Sequence, residues 1–415
     1  MGKKINTIII GAGPAGMMAA GIAKENGNKV LVLEKMSKPC LKLGITGKGR
    51  CNLTNMSEIK DILGKFNSGK RFMKYSIHEF SNQNLIEFFE SKGLKTKVER
   101  GNRVFPISDK AMEVVGIMKD WIRDLGVKIQ KDVKILDILE KDGKITAVIY
   151  KYQDEIINQP CENLIIATGG KSYPKTGSTG DGYKLAEELG HTIIPPKPAL
   201  VPLITEYKIH QLDKLKLKNI NATFWADGRK LCEEFGELYF TEYGIDGPVV
   251  ITMSNDVINA LSKDQNVELS IDLKPALTTK QIKNRLLREI ADLKSLVIFH
   301  LLRRILPEKL AEYCIDELQI DRKTKCAELH ADDRKKIENW LKNFRVKVIG
   351  SRPIEEAIVT AGGINLKEVN PNTMESRITK NLYFAGEILD IDAKTGGYNL
   401  QAAFSTGYVA GKNVS

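Results

Sequence analysis

The run Ile5-Asn-Thr-Ile-Ile-Ile10, Gly11-Ala-Gly-Pro-Ala-Gly16, Met17-Met-Ala-Ala-Gly-Ile-Ala23 and Val30-Leu-Val-Leu33-Glu34 decides the fold of this chain. It reads as strand, glycine turn, small-residue helix, strand and acid. Each glycine has a physical task. Gly11 permits the tight turn, Gly13 lets backbone approach a pyrophosphate, and Gly16 lets the helix pack close to the strand. The helix start, with Pro14 and Ala15, then offers free N–H groups and a positive dipole end to phosphates. Glu34 follows Gly16 by 18 residues, at the end of the second strand, where a carboxylate accepts hydrogen bonds from a ribose diol. A 2′-phosphate there is repelled, so the unit suits FAD or NAD better than NADP.

Outward from that unit, 415 residues exceed one simple core, and two or three domains are expected. Hydrophobic and charged contents of 42% and 28% are those of a soluble globular chain. No apolar run approaches the ~20 residues of a membrane span, and no signal-peptide pattern precedes the first strand. Cysteines 40, 51, 161, 232, 314 and 326 are scattered without metal-ligand spacing, so no metal is expected. They read as free thiols of a cytoplasmic protein. The net charge of +11 falls within residues 1–110, and about +7 of it within 42–110. Charge alone favours a solvated lysine-rich surface over a polyanionic partner.

Residues Lys38 to Asn55 read as neither helix nor strand but as a glycine-rich loop near the strands' carboxyl ends, where ligands bind. A helix is expected over 69–93, then a basic hairpin from Thr96 to Phe105 turning at Gly101-Asn102, then a helix capped by Ser108. Strands are expected at Val127–Ile129, Val133–Leu139 and Ile145–Tyr150. Leu164-Ile-Ile-Ala-Thr-Gly-Gly170 is a strand ending in small residues, and a helix follows from Tyr183 to Leu189. Pro195, Pro196, Pro198 and Pro202 mark a domain crossing. Residues 200–272 alternate like strands, and 278–344 read as helical. Thr360-Ala-Gly-Gly-Ile364 reads as a glycine turn. Leu382-Tyr-Phe-Ala-Gly-Glu387 is a strand ending in a carboxylate, and Gly396-Gly397 opens a small-residue helix.

The first glycine turn, Ala167-Thr-Gly169 and Phe384-Ala-Gly-Glu387 with Gly396-Gly397 form a set that NAD-only folds do not need and FAD-dependent two-dinucleotide-fold proteins do. End to end the chain resembles the BaiN-like (YhiN-type) flavoprotein family. The resemblance rests on Gly44-Ile-Thr-Gly-Lys-Gly-Arg-Cys-Asn-Leu-Thr-Asn55, Arg103-Val-Phe-Pro-Ile-Ser-Asp-Lys-Ala111, Thr176-Gly-Ser-Thr-Gly-Asp-Gly-Tyr183 and Gly396-Gly-Tyr-Asn-Leu-Gln401. Where some members carry Gly-Gly-Gly before Arg-Cys-Asn, this chain has Gly-Lys-Gly, which adds the cation Lys48.

The resemblance implies an α/β fold: a Rossmann-like FAD-binding domain (residues 1–195 and 350–415), an inserted β-rich domain (196–275) and its helical subdomain (276–349). It implies FAD held by Gly11, Gly13, Pro14, Ala15, Gly16, Glu34, Lys35, Gly47, Arg50, Cys51, Asn52, Val133, Ala167, Thr168, Gly169, Gly386, Glu387, Gly396, Gly397, Tyr398, Asn399 and Leu400. NAD(P)H is a transient reductant, because no second Gly-x-Gly-x-x-Gly marks a nicotinamide domain. The chemistry it implies is hydride transfer from flavin N5 to a C=C conjugated to a carbonyl, with a proton delivered to the α carbon. Uridine of 23S ribosomal RNA fits the basic excess, with Lys48, Arg71, Lys74, Lys95, Lys97, Arg100 and Arg103, and also Lys92, available to phosphates. A small unsaturated ketone of steroid or bile-acid type, an amine, or a binding role without dedicated catalysis are the alternatives. Cys51 is the first candidate proton donor and Tyr398 and Tyr173 are weaker ones. Lys48 and Arg50 beside Cys51 would instead favour a thiolate. His191 reads as structural, and His78, His210, His300 and His330 lie in no catalytic context.

Overall fold

A computed structural model describes residues 5–206 and 209–414, with the side chain of His210 outside the described set. The chain divides into two compact units, residues 1–199 with 354–415, and residues 200–353.

The first unit is built on a five-stranded parallel sheet. Its strands are β1 (Thr7–Ile10), β2 (Val30–Leu33), β3 (Lys128–Gln130), β4 (Asn163–Ile166) and β5 (Leu382–Phe384), in the order β5-β4-β1-β2-β3. Each of β1, β2 and β4 is buried throughout, which is why they read as continuous apolar runs rather than alternating ones. Thr7 pairs with both Val30 and Asn163, so β1 lies at the centre and its carboxyl end opens between β2 and β4. Helix α1 (Pro14–Glu25) follows β1, and α2 (Tyr398–Asn413) closes the unit. The two helices pack backbone to backbone. A Cβ on Gly407 would lie 2.3 Å from Ala15 O, and one on Gly411 2.5 Å from Ala19 O. Small residues in both helices are thus a packing requirement, not a low-information stretch.

The second unit is a closed six-stranded barrel of Leu203–Thr205, Gly244–Asp246, Arg229–Thr241, Lys216–Ala226, Val267–Asp272 and Phe344–Ser351. It has its own core of Phe224, Phe240, Leu269 and Phe344. Four helices, Thr279–Asp292, Ile298–Arg303, Glu308–Glu317 and Ala331–Lys342, precede the closing strand.

Several expectations are corrected. The crossing falls inside the Pro195–Pro202 cluster, a few residues later than position 195: Pro195, Pro196 and Pro198 lie in strand Ile193–Ala199, paired with Val359–Ile364, and the second unit begins at Leu200, before Pro202. Thr360–Ile364 is therefore a strand, not a turn, although Gly362 and Gly363 keep positive φ. Pro248–Leu261 is a helix inside the stretch expected to be strands, with Val249, Val250, Met253 and Val257 buried. Phe344–Ser351 belongs to the barrel, not to the helices before it. The helix expected over 69–93 is two, Met73–Glu79 and Asn82–Ser91, because Ser81 caps the second with a reciprocal Asn84 bond. Ser108 does not cap the next helix, Ala111–Asp124, whose N-cap is Lys110. Lys38–Asn55 contains a short helix, Leu41–Ile45, and one 3-10 turn, Thr46–Gly49. Among the described residues no helix is long and apolar enough to cross a membrane.

Because the Gly407 position faces backbone that cannot swing aside, Gly407→Ala is expected to cost about 1–3 kcal/mol of stability, the overpacking range. Chemical denaturation checks this, and a denaturation midpoint equal to wild type would refute the backbone contact.

Candidate functional site

The glycine turn after β1 is built as its residue types require. Gly11 has φ +102°, and a Cβ there would sit 2.5 Å from Ala167 O. A Cβ on Gly16 would sit 2.0 Å from Gly11 O. At Gly13 the same test meets nothing within 4 Å, so the turn opens outward at the start of α1. No side chain caps that helix, which leaves its leading N–H groups directed at whatever fills the opening.

Glu34, only 8% exposed, is fixed by two backbone donors: Ala12 N–H to Oε2 at 2.7 Å and Met36 N–H to Oε1 at 2.8 Å. Burial raises its pKa, and those donors and Lys35 oppose the rise. Each oxygen keeps a lone pair for a diol. Val133 spends its N–H on Glu34 O at 3.1 Å and its side chain is buried. Lys35 reaches Asp181 at 2.7 Å and the Thr179 hydroxyl, while a Cβ on Gly177 would touch Met36 Cγ at 2.9 Å. Thr176–Gly182 therefore lies beside Glu34–Met36. Both segments stand out in the sequence, but nothing in it joins them. At the end of β4, Thr168 Oγ1 is buried without a hydrogen-bond partner, close to Gly182.

A second opening follows β5. Gly386 N–H donates to Thr406 Oγ1 at 2.9 Å. Glu387 accepts from Thr360 N–H at 2.8 Å and from Ser172 Oγ at 3.1 Å, and pairs with Lys42 Nζ at 2.7 Å. Lys42 also donates to Ser172 Oγ at 2.7 Å. This half-buried knot joins four distant segments. Of these, only Glu387 is a candidate site residue in the sequence; no spacing there joins it to Lys42, Ser172 or Thr360.

At α2, Gly397 has φ +97°, and a Cβ there would lie 2.5 Å from the Thr54 carbonyl. Asn52, in the amide orientation that satisfies both neighbours, donates to Thr54 O and accepts from Gly397 N–H, each at 3.1 Å. Asn399 closes its own loop through Ala393 N and O, and Leu400 packs half-buried against the core. Ala15 meets Gly407 and Ala19 meets Gly411, so α1 and α2 run alongside each other. Helix α2 starts eight residues further back than α1, about 12 Å at 1.5 Å per residue. The two helix starts are thus offset by about 12 Å along their shared direction.

Of the candidate acids, Cys51 and Tyr398 are buried and Tyr173 is half-buried. Cys51 has no exposed surface, sits at φ +61°, and burial pushes its thiol up to about 12. The thiolate alternative fails for that reason, and because Arg50 turns away to Glu99 at 2.5 Å and Asp109 at 2.6 Å, stacked on Phe105. Gly47, at φ +58°, packs against Asn52 N. The Tyr398 ring lies over Gly396, its hydroxyl bonds Ser57, and burial raises its pKa. Tyr173 is half-buried at φ +53°.

Of the basic candidates, Arg71, Lys74, Lys95, Arg100 and Arg103 are exposed and have no carboxylate partner among the described residues. Lys48 is exposed as well. Lys97 is a correction: it is committed to Asp109 at 2.8 Å and Glu99 at 3.5 Å. Lys92 lies over the Phe88 and Trp121 rings. His191 is buried between Ser376 Oγ (2.9 Å) and Glu368 (3.3 Å), a brace in which Ser376 also accepts two backbone N–H groups. His78, His300 and His330 are exposed. No cluster of three metal-ligating side chains occurs among the described residues.

The family described as HI0933-like protein Rossmann domain matches residues 5–413. The chain is 32% identical over 408 residues to the 3-dehydro-bile acid delta(4,6)-reductase of Clostridium scindens, covering 97% of both chains. It is 29% identical over 425 residues to the ribosomal RNA dihydrouridine synthase of Haemophilus influenzae, covering all of both. The 3-ketosteroid delta1-dehydrogenase of Sterolibacterium denitrificans shares the fold, with TM-score 0.55 at 12% identity over 99% of each chain.

Two outcomes follow from the geometry. Glu34→Gln presents an amide NH2 to one of two backbone donors, and dinucleotide retention is expected to fall at least about tenfold. Visible flavin absorbance per chain measures it, and unchanged retention would remove Glu34 from the site. Arg50 and Lys97 hold Glu99 and Asp109 below the usual carboxylate range. Their stabilisation is present above about pH 4 and is lost as pH falls through the depressed values. Asp109→Asn should therefore lower Tm at pH 7, and the deficit should shrink as pH falls through the depressed carboxylate range. A deficit constant with pH would contradict the pairing.

Proposed function

The chain belongs to the HI0933-like Rossmann family, which bears out the resemblance read from its motifs, and from that premise we propose an FAD-dependent reductase of a C=C conjugated to a carbonyl. Its substrate is uridine of large-subunit ribosomal RNA, and NADH or NADPH is the transient electron source. FAD, when bound, supplies a hydride at its ring N5. The residues present fit that group. The α1 N-terminus and outward-opening Gly13 would hold its pyrophosphate, Glu34 would accept from its ribose diol, and the start of α2 would face its ring system.

The two named relatives favour one chemistry. A delta(4,6) double bond in a 3-oxo steroid and C5=C6 of uridine are both conjugated to a carbonyl. Reduction puts hydride on the β carbon and a proton on the α carbon. The protein must hold the alkene in reach of the hydride and exclude water. The proton has to leave a group that the substrate can touch. Cys51 has no accessible surface and a strongly raised pKa, so it supports the loop as a packing residue rather than supplying that proton.

The observation that carries the choice of RNA is the set of exposed, carboxylate-free cations Arg71, Lys74, Lys95, Arg100 and Arg103 on the cofactor-binding unit. A steroid gains nothing from them. The 32% identity to the bile-acid reductase supports the second reading, a small conjugated ketone.

Mass spectrometry of large-subunit rRNA from cells with and without the gene tests this. Loss of dihydrouridine on deletion, restored by the wild-type gene, is the expected result. An unchanged modification profile, with conjugated ketones consumed by the reduced enzyme, would replace RNA by the small-molecule substrate.

A further inference from the structure

A groove of about 710 Å³ opens between loop Gly69–Phe72 and the segment Leu366–Arg377 of the same unit. It is broad and open to solvent rather than an enclosed pocket. Lys70 and Arg71 line one side and Lys367 and Arg377 the other. All four are exposed, and among the described residues none pairs with a carboxylate. Only Arg71 stood out in the sequence, because the other wall lies almost 300 residues away. Leu366 and Pro371, both half-buried, give the groove an apolar lining, while Phe72 is packed into the core with little surface left.

The local acids are turned elsewhere. Glu368, next to Lys367, accepts from Thr192 N–H at 2.9 Å and meets His191 at 3.3 Å. Glu375 accepts from Asn381 N–H at 3.0 Å. Asp390 is held by Ser68 and the Gly362 backbone. The buried His191 brace, which no catalytic step uses, therefore has a consequence: it keeps the Glu368 charge directed into the fold.

The groove is also fixed to the cofactor end of the unit. Asn67 N–H donates to Asp392 O at 2.9 Å and Ser68 Oγ to Asp390 O at 2.8 Å. A Cβ on Gly69 would meet Ile391 at 2.9 Å and Leu366 at 3.2 Å. The segment Asp390–Ala393 that carries these contacts follows Glu387 and is closed by Asn399 of α2.

We propose that this groove is the RNA-docking surface of the enzyme, taking a single-stranded segment with phosphates on Lys70, Arg71, Lys367 and Arg377 and a base or ribose against Leu366 and Pro371. A single strand is favoured over a duplex because the apolar lining needs an exposed base face or sugar, which a duplex keeps stacked inside. The inference rests on the RNA reading above.

The test uses the full-length flavoprotein and a fluorescein-labelled oligouridylate of about ten nucleotides, followed by anisotropy across a salt series. Arg71→Gln with Arg377→Gln should weaken binding about tenfold or more at low salt. It should also reduce the salt slope by about 1.4, from two lost phosphate contacts on a single strand. Lys134→Gln with Lys141→Gln, on exposed strand positions of the same unit, should leave both unchanged. The groove variant should raise KM for rRNA while reduction of the flavin by NAD(P)H keeps its rate, a split that misfolding would not give. Wild-type and groove-variant proteins that bind and modify RNA alike would overturn the groove and leave the function standing. Groove-dependent RNA binding without dihydrouridine would do the reverse. Loss of binding to inorganic phosphate or polyglutamate, with RNA unaffected, would also overturn the proposal.

Discussion

Everything in the cofactor-binding unit depends on how closely α1 and α2 approach. At two points that contact has no side chain on one partner: Gly407 and Gly411 of one helix sit on the backbone of Ala15 and Ala19 of the other. Backbone contact there adds dispersion to the burial of neighbours such as Met17, Met18 and Phe404. The contact also fixes the stagger of the helices, and with it the distance between their two uncapped starts. Gly16 repeats the device one layer in, letting α1 lie on the Gly11 turn. A ligand that spans both helix starts would have to match that packing distance.

Charge is organised by the same logic of neighbours. Counted along the chain, residues 42–110 are a basic block. In the fold, Arg50 and Lys97 face Glu99 and Asp109 across a hairpin and cease to be a field for phosphates. Exposed ion pairs of this kind contribute little stability. The cations of that block left without a carboxylate partner among the described residues include Lys70, Arg71, Lys74, Lys95, Arg100 and Arg103, and Lys367 and Arg377 face Lys70 and Arg71 from the other wall of the groove. The His191–Glu368 contact acts in the same direction by withdrawing an acid. Composition alone could not separate these cases, because a lysine and its neutralising aspartate are counted in the same window.

The motif Arg50-Cys-Asn52 shows how a conspicuous sequence can mislead about roles. The pattern marks the loop as special, and it is, since Asn52 ties Thr54 to Gly397 at the start of α2. Its cysteine invites a chemical role because thiols are reactive. Burial answers that: with no exposed surface and a pKa pushed to about 12, Cys51 is a small apolar filler at a left-handed corner. Tyr398 is similar, its ring covering Gly396. The polar knot of Lys42, Ser172, Thr360 and Glu387 had no motif to announce it.

The βαβ unit, its acid, the strand ending in Ala167-Thr-Gly169 and the terminal glycine-led helix are legible in the sequence because each is specified locally. Hydrophobic runs set the strands, glycines set turns that no other residue fits, and Glu34 stands at a fixed offset from them. What only the tertiary structure decided are relations between distant residues. Examples are the pairing of Ile193–Ala199 with Val359–Ile364, the strand Phe344–Ser351 that closes the barrel, the seating of Thr176–Gly182 beside Glu34, and the two-walled cationic groove. Such relations are set by which surfaces bury each other, and that information is held in complementary shapes and charges rather than in any one stretch of chain.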